Sequence, residues 1–390
     1  MDLLSKRISA IPESETLAIT TRAAQMRAEG IDVIGFGAGE PDFPTPPHIV
    51  AAAVEACFDP SSHKYSPTAG LGELRAAVAE SVMEAQGVEP AQVLVTNGAK
   101  HAVVTALMAL VDEGDEVLIP APYWVTYPEA ARIAGGTPIV VPWDTAFKVT
   151  PERLDRAATP RTTALVFASP SNPTGAVYTS DEVASIGAWA AERGIWVISD
   201  EIYDHLVYPP ATFTSVAVGS DPERTLLVGG VSKTYAMTGW RVGWVIGQAD
   251  VIRACTNLQS HTTSNVNNVA QRAALAALRG DQTPVGEMRE VFDQRRRLIV
   301  RRLSDISGLT VNEPEGAFYA FPDVTGVLGR AVGPWTPTTS YELVEALLDQ
   351  ALIAAVPGEA FGAPGFVRFS YALSDEALSE GMDRLAKALI

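Results

Sequence analysis

The sequence predicts an α/β protein in which a large domain with a mostly parallel central sheet is joined to a smaller α+β domain. From residue 70 onward, helical stretches alternate with short apolar runs, which is typical of parallel strands connected by helices. Near residue 286 this alternation ends, and a long charged helix followed by short strand-like runs begins. Because 390 residues exceed one ordinary core, we expect an N-terminal arm with part of the small domain at residues 1–45, the large domain at 46–285 and a C-terminal small domain at 286–390.

The individual elements follow from local patterns. Gly30 predicts the end of the first helix, since glycine readily adopts the left-handed conformation that follows a helix. Thr179 and Glu182 have the spacing of a capping box, which predicts a helix that runs to about Arg193. The other predicted helices cover residues 16–29, 71–85, 99–110 and 287–306 and the C-terminus. The predicted strands cover residues 31–36, 93–95, 117–119, 163–167, 196–199, 318–321, 353–356 and 367–370, and residues 326–339 are predicted to form a surface loop.

Composition and charge restrict the possible partners. The chain has 29 basic and 46 acidic residues and a formal net charge of -17, which disfavours nucleic acid and anionic membranes because both need concentrated positive charge. An acidic substrate would have to be met by local cations. Since no apolar stretch approaches the ~18 residues of a membrane span and no signal peptide precedes the first helix, we expect a cytoplasmic protein. Cys57 and Cys255 are predicted to be buried free thiols in a reducing compartment, and a single disulfide between them is the alternative.

Lys233 is the main candidate for a reactive group. It lies in a turn of small residues between two apolar runs, with Ser232 and Thr234 beside it. A buried amine loses its charge through desolvation and can form a Schiff base with an aldehyde cofactor, whereas a surface lysine is solvated and mostly inert. A lone lysine in a turn is usually a solvated charge. Here Arg241, a cation suited to a phosphate, follows eight residues later and favours the reactive reading.

Asp200 ends a predicted central strand, at the edge where α/β folds place their ligands. By itself it would more often cap a helix. Against a pyridine ring, however, a carboxylate keeps the ring nitrogen protonated and makes the ring an electron sink. Tyr203 and Asn172 could then donate hydrogen bonds to a phenolic oxygen of that ring.

Two further segments fit a planar, phosphorylated ligand. Gly98, Ala99 and Lys100 follow a strand and open a helix, so their backbone N–H groups point toward any anion placed there. A single glycine-containing turn of this kind is weak evidence for a phosphate site, because packing alone explains the glycine equally well. Trp124 follows another strand and could stack on a planar ring, or it could pack in the core.

Taken together, these motifs resemble the class I and II aminotransferases of pyridoxal-phosphate fold type I, from about Ser9 to the C-terminus. The motifs occur in the order and spacing of that family. They are Gly39-Glu-Pro-Asp-Phe, Lys64-Tyr-Ser-Pro, Asn172-Pro-Thr-Gly, Ser199-Asp-Glu-Ile-Tyr, Ser232-Lys-Thr-Tyr-Ala-Met-Thr-Gly-Trp-Arg and Arg368-Phe-Ser-Tyr-Ala. The resemblance implies pyridoxal 5'-phosphate as the cofactor.

The resemblance also assigns roles. Lys233 would hold the cofactor aldehyde and, once displaced by substrate, act as the general base, while Asp200 would pair with the ring nitrogen. Tyr203 would bind the phenolic oxygen. Asn172 and Trp124 would contact both the ring and the substrate, Gly98, Ala99, Lys100, Ser232 and Arg241 would surround the phosphate, and Arg368 would grip the substrate α-carboxylate beside Gly39. Tyr65 would reach the phosphate of the neighbouring subunit, which implies a homodimer with shared active sites, and no metal site is predicted.

Within the family, the resemblance is closest to bacterial aspartate aminotransferases. In that subgroup a lysine after the phosphate turn and hydroxyls near the N-terminal arm help to recognise the distal carboxylate, and this chain has Lys100, Ser14 and Thr16 at those positions. The turn has Ala99 where many relatives have glycine. The resemblance therefore implies a ping-pong transfer of the amino group from L-aspartate to 2-oxoglutarate, giving oxaloacetate and L-glutamate.

Three rival functions stay open at this point. An aminotransferase of aromatic amino acids or prephenate would use the same catalytic set, and a panel of amino donors separates it. A pyridoxal-phosphate lyase acting on C–S bonds would release pyruvate and ammonia. A non-catalytic regulator would show cofactor absorbance without turnover.

Overall fold

The structure is a computed structural model that describes residues 15–82 and 87–389. Its helices are α1 Glu15–Ala28, α2 Pro47–Phe58, α3 Gly72–Ser81, α4 Ala99–Leu110, α5 Thr126–Ala134, α6 Pro151–Ala157, α7 Ser180–Arg193, α8 Ala249–Ser260, α9 Asn268–Arg279, α10 Thr283–Ser304, α11 Ser340–Ala351 and α12 Asp375–Ala388. Its strands are β1 Ile34–Gly35, β2 Val93–Thr96, β3 Glu116–Pro120, β4 Thr137–Val141, β5 Thr162–Ala168, β6 Trp196–Asp200, β7 Thr225–Gly230, β8 Gly243–Ile246, β9 Tyr319–Ala320, β10 Ile353–Ala354, β11 Val356–Pro357 and β12 Val367–Ser370. In the described ranges, no helix combines the length and the apolar character needed to cross a membrane.

A seven-stranded sheet forms the centre of the sheet region, which comprises α2 to α9. Its strand order is β2-β8-β7-β6-β5-β3-β4; β8 pairs antiparallel with β2 and β7, and the other pairs are parallel. The predicted mostly parallel sheet is confirmed. At its carboxyl edge Asp200 pairs in register with Ala168 on one side and Val228 on the other. The segments that follow β5, β6 and β7 therefore leave the sheet side by side, where parallel α/β sheets bind ligands.

Both faces of this sheet are covered, which is why its strands are continuous apolar runs rather than alternating ones. Successive side chains of one strand enter different cores. Leu165 and Phe167 belong to one buried cluster, whereas Ala164 and Val166 belong to another. The helices on the two faces supply the rest of each cluster.

The terminal region combines α1 and β1 with the elements from α10 onward. Its core contains a three-stranded antiparallel sheet, β11-β12-β9, and a parallel pair, β1-β10, in which Ile34 lies opposite Ile353. Phe36 packs edge-on against Phe369, with ring centroids 5.5 Å apart. A Cβ on Gly381 would lie 2.4 Å from the Phe36 ring, so helix α12 can approach this segment only with glycine there. The two ends of the chain thus share one core; the domain boundaries at residues 45 and 285 stay predictions.

Several predicted elements agree with the structure. The helix Ala99–Leu110 and the strand Val367–Ser370 are confirmed at their predicted bounds. The capping box is confirmed as well, because the Thr179 hydroxyl accepts from the backbone N–H of Glu182 while the Glu182 carboxylate accepts from that of Thr179. Both cysteines are free thiols as predicted, but only Cys255 is buried; the prediction of a buried Cys57 was wrong, because it lies on the exposed side of α2.

Other predictions were wrong in their extent. The strand predicted over residues 353–356 is two strands, because β10 pairs with β1 whereas β11 pairs with β12. The strands predicted over 31–36 and 318–321 shrink to Ile34–Gly35 and Tyr319–Ala320, since only these residues meet partner strands. Helix α3 ends at Ser81, and residues 83–86 of the predicted helix lie outside the described residues. The predicted loop at 326–339 is not wholly at the surface, because Val327 and Val332 are buried in the core.

Candidate active site

A cavity of about 470 Å³ lies between the carboxyl edge of the seven-stranded sheet and the terminal region. Its walls come from the turns after β5, β6 and β7, the first turn of α4, the segment of residues 37–40, and strand β12. Most of the predicted site residues line it. They are Gly39, Ala99, Lys100, Trp124, Asn172, Asp200, Tyr203, Ser232, Lys233, Arg241 and Arg368.

Lys233 lies in the turn that follows β7. Its Nζ donates a hydrogen bond to the carbonyl of Gly39, far away in the sequence. Burial lowers the pKa of Lys233 to about 8; the carboxylate of Glu40 opposes this shift, whereas the charge of Arg368 adds to it. An amine with such a pKa is partly uncharged near neutrality, which is the state that can attack an aldehyde.

Asp200, the last residue of β6, is only 4% exposed. It accepts a hydrogen bond from the hydroxyl of Tyr127 at 2.8 Å and one from the backbone N–H of Ile202 at 3.2 Å. Burial raises the pKa of Asp200, while these two hydrogen bonds and the charge of Lys233 oppose the rise. A buried carboxylate with neutral hydrogen-bond partners is suited to a cationic ligand group, because a nearby positive charge offsets the cost of desolvation.

Arg368 is the most unusual charge in the cavity, because it is 3% exposed and no carboxylate of the described residues pairs with it. Its Nη1 donates to Asn172 Oδ1 and its Nη2 to the carbonyl of Gly37, both at 2.9 Å. The guanidinium lies over the rings of Tyr319 and Phe361, 4.5 and 5.0 Å from their centroids. Its Nε is buried without a partner. Burial lowers the pKa of Arg368, and a buried cation with an unused donor fits a carboxylate ligand.

Tyr203 and Tyr319 form a pair of hydroxyl groups beside this arginine. Their oxygen atoms are 2.8 Å apart, and their rings pack edge-on. Burial raises the pKa of both phenols, so both are neutral and able to donate hydrogen bonds.

The first turn of α4 and the side chain of Arg241 form an anion-binding corner. Gly98 has φ +84°, and a Cβ at this position would lie 2.6 Å from Arg241 Nη2. Arg241 donates to the carbonyl of Thr238 at 2.9 Å and to that of Asn97 at 3.3 Å. Glycine therefore lets a guanidinium approach the N-terminal end of a helix, and both features favour an anion such as a phosphate.

Lys100 lies over the ring of Trp124, with Nζ 5.1 Å from the centroid. Burial lowers the pKa of Lys100, and the charge of Arg241 lowers it further. Within the described residues it pairs with no carboxylate. Lys100, like Arg368, is therefore a cation of the cavity that is available to an acidic group.

Of the predicted site residues whose positions the structure describes in full, Gly98 and Tyr65 do not line the cavity. Tyr65 is 91% exposed and lies outside it. Thr16 lies on α1, but its side chain is not described, and Ser14 lies outside the described residues. Their predicted roles stay predictions.

The structure also places residues in the cavity that sequence reasoning missed: Glu40, Tyr127, Thr238 and Tyr319. The sequence positions of two of them could have indicated that they lie in the site. Tyr127 follows Trp124 by three residues, and Tyr319 lies within the run predicted as a strand. Glu40 lies within a motif that was identified only for its neighbour Gly39.

Comparison with known proteins gives a consistent result. Residues 31–385 match the family model described as "Aminotransferase class I and II". An aspartate aminotransferase of Streptomyces avermitilis is 56% identical over 392 residues, which cover 99% of this chain and 96% of the relative. An aspartate/prephenate aminotransferase of Cereibacter sphaeroides is 44% identical over 394 residues, covering 99% and 98%. The solved structure of the Thermus thermophilus aspartate aminotransferase with maleate has a TM-score of 0.92 at 40% identity, over 100% of both chains.

Proposed function

Since the chain belongs to the class I and II aminotransferases, we propose that it transfers the amino group of L-aspartate to 2-oxoglutarate with pyridoxal 5'-phosphate as its cofactor. The single observation that supports an acidic substrate most is that Arg368 and Lys100 line one cavity without carboxylate partners among the described residues. Lys233 and Arg241 also lack such partners, but we assign them to the aldehyde and the phosphate of the cofactor. A four-carbon dicarboxylate offers one acidic group to each of Arg368 and Lys100. The relatives named as aspartate aminotransferases, one of them solved with the dicarboxylate maleate, support the same substrate.

The donor set of the cavity fits the proposed cofactor. An amine of lowered pKa, Lys233, suits its aldehyde, and the buried carboxylate of Asp200 suits its ring nitrogen. The corner of Gly98 and Arg241 suits its phosphate. When bound, the cofactor supplies the carbonyl carbon that takes up the amino group and a ring that withdraws electrons from the α-carbon.

Side chains of the protein would bind the substrate, transfer the proton and support the cofactor. Arg368 binds the α-carboxylate with the donor that the protein leaves unused, and so holds the α-carbon in a fixed orientation. Lys233 moves the proton at the α-carbon, because an amine with a pKa of about 8 can both accept and return it near neutral pH. Asp200 holds a proton on the ring nitrogen, and Tyr127 keeps the carboxylate in place.

Asn172 connects the two halves of the cavity. Its Oδ1 accepts from Arg368, which leaves its amide nitrogen to donate toward the phenolic oxygen of the ring. Tyr203 lines the same wall and supplies a neutral hydroxyl for that oxygen. One amide would thus align the substrate carboxylate with the cofactor ring.

A second candidate substrate class is supported by the aspartate/prephenate aminotransferase of Cereibacter sphaeroides. Aromatic rings lie around the carboxylate site, since Tyr319 and Phe361 pack on Arg368 and Trp124 lines the cavity. A donor panel of L-aspartate, L-phenylalanine, L-tyrosine, L-alanine and L-cysteine, each with 2-oxoglutarate, separates the proposals. We expect L-aspartate to give the highest kcat/KM; a higher value for an aromatic donor would contradict the aspartate assignment, and pyruvate release from L-cysteine would indicate a lyase.

We also propose a homodimer. Val50, Val54 and Phe58 are exposed at four-residue spacing along α2 and form one apolar face of that helix, and Tyr65 follows shortly after it. Exposed apolar stripes of this kind favour association. A cleft beside them reaches Arg241, so Tyr65 of a second copy could bind the phosphate region there.

The homodimer has a direct test. We expect a dimer in sedimentation equilibrium, weakened by Phe58→Lys, and we expect Tyr65→Phe to remain dimeric but to bind pyridoxal 5'-phosphate more weakly. A monomeric wild-type protein would contradict the proposal.

A further inference from the structure

Glu40 is an unexplained charge in the cavity. Among the described residues that line it, four are cations, namely Lys100, Lys233, Arg241 and Arg368, and two are carboxylates, Glu40 and Asp200. Asp200 is buried and held by Tyr127. Glu40 is exposed, so its carboxylate can reach a ligand that enters from solvent.

The segment of residues 37–40 brings this carboxylate to the two groups that handle the α-carbon. The carbonyl of Gly37 accepts from Arg368, and the carbonyl of Gly39 accepts from Lys233. The Glu40 carboxylate itself accepts from the Thr238 hydroxyl at 2.9 Å, and the carbonyl of Thr238 accepts from Arg241. This hydrogen bond anchors the carboxylate between Lys233 and the phosphate corner. Burial lowers the pKa of Lys233, and among its charged neighbours the Glu40 carboxylate opposes this shift most. Because Glu40 directly follows Gly39, the acceptor of Lys233 Nζ, its carboxylate lines the cavity beside Lys233.

We propose that Glu40 recognises the α-ammonium group of the amino donor and so determines which carboxylate of a dicarboxylic donor lies on Arg368. The inference rests on the proposed function. Two cations, Arg368 and Lys100, attract carboxylates, so charge alone permits L-aspartate to bind in either direction. The ammonium group lies next to the α-carboxylate, and its attraction to Glu40 as the donor enters favours the productive direction, with the nitrogen beside Lys233. The ammonium group then passes one proton to the Lys233 nitrogen, because only the neutral amine can react with the aldehyde. A 2-oxo acid has no ammonium group and gains nothing from Glu40.

Equilibrium binding tests this asymmetry on the protein loaded with pyridoxal 5'-phosphate. The probes are 2-methylaspartate, a dicarboxylate with an amine but no α-hydrogen, and succinate, a dicarboxylate without an amine. For Glu40→Gln we expect the Kd of 2-methylaspartate to rise about 10-fold or more, while the Kd of succinate stays the same or falls. Glu40→Asp should restore most of the 2-methylaspartate affinity, and Glu113→Gln, which removes an exposed charge outside the cavity, should bind both probes as wild type does.

Steady-state kinetics provide a second readout. For Glu40→Gln we expect the KM of L-aspartate to rise and that of 2-oxoglutarate to remain unchanged. If Glu40→Gln binds both probes more weakly by the same factor, or binds 2-methylaspartate as tightly as wild type does, the role of Glu40 is overturned. In that case, turnover of L-aspartate by the wild-type protein still supports the proposed function. A wild-type protein that neither binds 2-methylaspartate nor turns over L-aspartate would overturn both.

Discussion

The two sides of the cavity are built in different ways. On the sheet side, Asn172, Asp200 and Lys233 follow three adjacent parallel strands, and the strand register alone brings them to one edge. On the terminal side, Arg368 on β12 meets the carbonyl of Gly37 across 331 residues of sequence. That meeting depends on how two ends of the chain pack into one core. We infer that the sheet side holds the cofactor as a preformed site, whereas the terminal side recognises the substrate. A substitution on one side should therefore impair cofactor binding or substrate recognition without impairing the other.

The largest effect is expected from Lys233→Ala on the sheet side. The variant loses the amine that attacks the aldehyde and moves the proton, so kcat should fall about 10⁴-fold. Steady-state assay with L-aspartate and 2-oxoglutarate measures it. Lys387→Ala, which removes an exposed lysine of α12, should retain wild-type activity. A Lys233→Ala variant with more than a tenth of wild-type kcat would contradict the role of this lysine.

Arg368→Lys should impair substrate recognition on the terminal side and leave cofactor binding on the sheet side unchanged. Lysine cannot form the planar paired hydrogen bonds of a guanidinium, and disturbing a buried charge pair at a ligand should lower kcat/KM for L-aspartate about 100-fold. The affinity for pyridoxal 5'-phosphate, measured by fluorescence titration, should stay within about twofold of wild type because the phosphate corner is untouched. Arg253→Lys, on the exposed face of α8, serves as the control. An equal loss of cofactor affinity would show that the two sides are not separable.

Tyr127→Phe probes the support of Asp200 on the sheet side. The variant loses a buried hydrogen bond to a carboxylate, which should raise the pKa of Asp200 further and weaken pyridoxal 5'-phosphate binding about 10-fold. The control is Tyr178→Phe, because that buried hydroxyl accepts from the backbone of Val149 and lies outside the main cavity. If both variants bind the cofactor as wild type does, Tyr127 does not support the ring-binding carboxylate.

The smallest expected effect is on stability, at Glu201 next to Asp200. Its carboxylate accepts from Ser199 and Ser215, both at 2.9 Å, and burial raises the pKa of Glu201 to about 8. The folded state therefore binds this proton more tightly than the unfolded state, so the contribution to stability is complete below about pH 4.5 and declines as the pH rises toward 8.

Glu201→Gln, which resembles the protonated acid, should remove this decline. Relative to wild type, its free energy of unfolding should increase by at least ~1 kcal/mol between about pH 5 and about pH 8. Urea unfolding at both pH values measures the change. A difference between variant and wild type that is independent of pH would contradict the raised pKa.

The sequence predicted the backbone positions of the site better than its side-chain contacts. Asp200 and Lys233 were located correctly because the carboxyl ends of parallel strands meet at one edge, which the order of apolar runs already indicates. The contacts of Tyr127 and Tyr319 were missed because they depend on side-chain packing between distant segments. The strand predicted over residues 353–356 was wrong for a related reason: an apolar run does not show that its two halves pair with different sheets.

The central claim is that this cavity exchanges an amino group between L-aspartate and a bound aldehyde cofactor. The most direct measurement is the absorbance of the purified protein loaded with pyridoxal 5'-phosphate, titrated first with L-aspartate alone and then with 2-oxoglutarate. We expect L-aspartate to convert the aldehyde band to the amine band at low concentration and 2-oxoglutarate to restore it. If L-aspartate leaves the band unchanged at every concentration, the assignment of this cavity to aspartate transamination is contradicted.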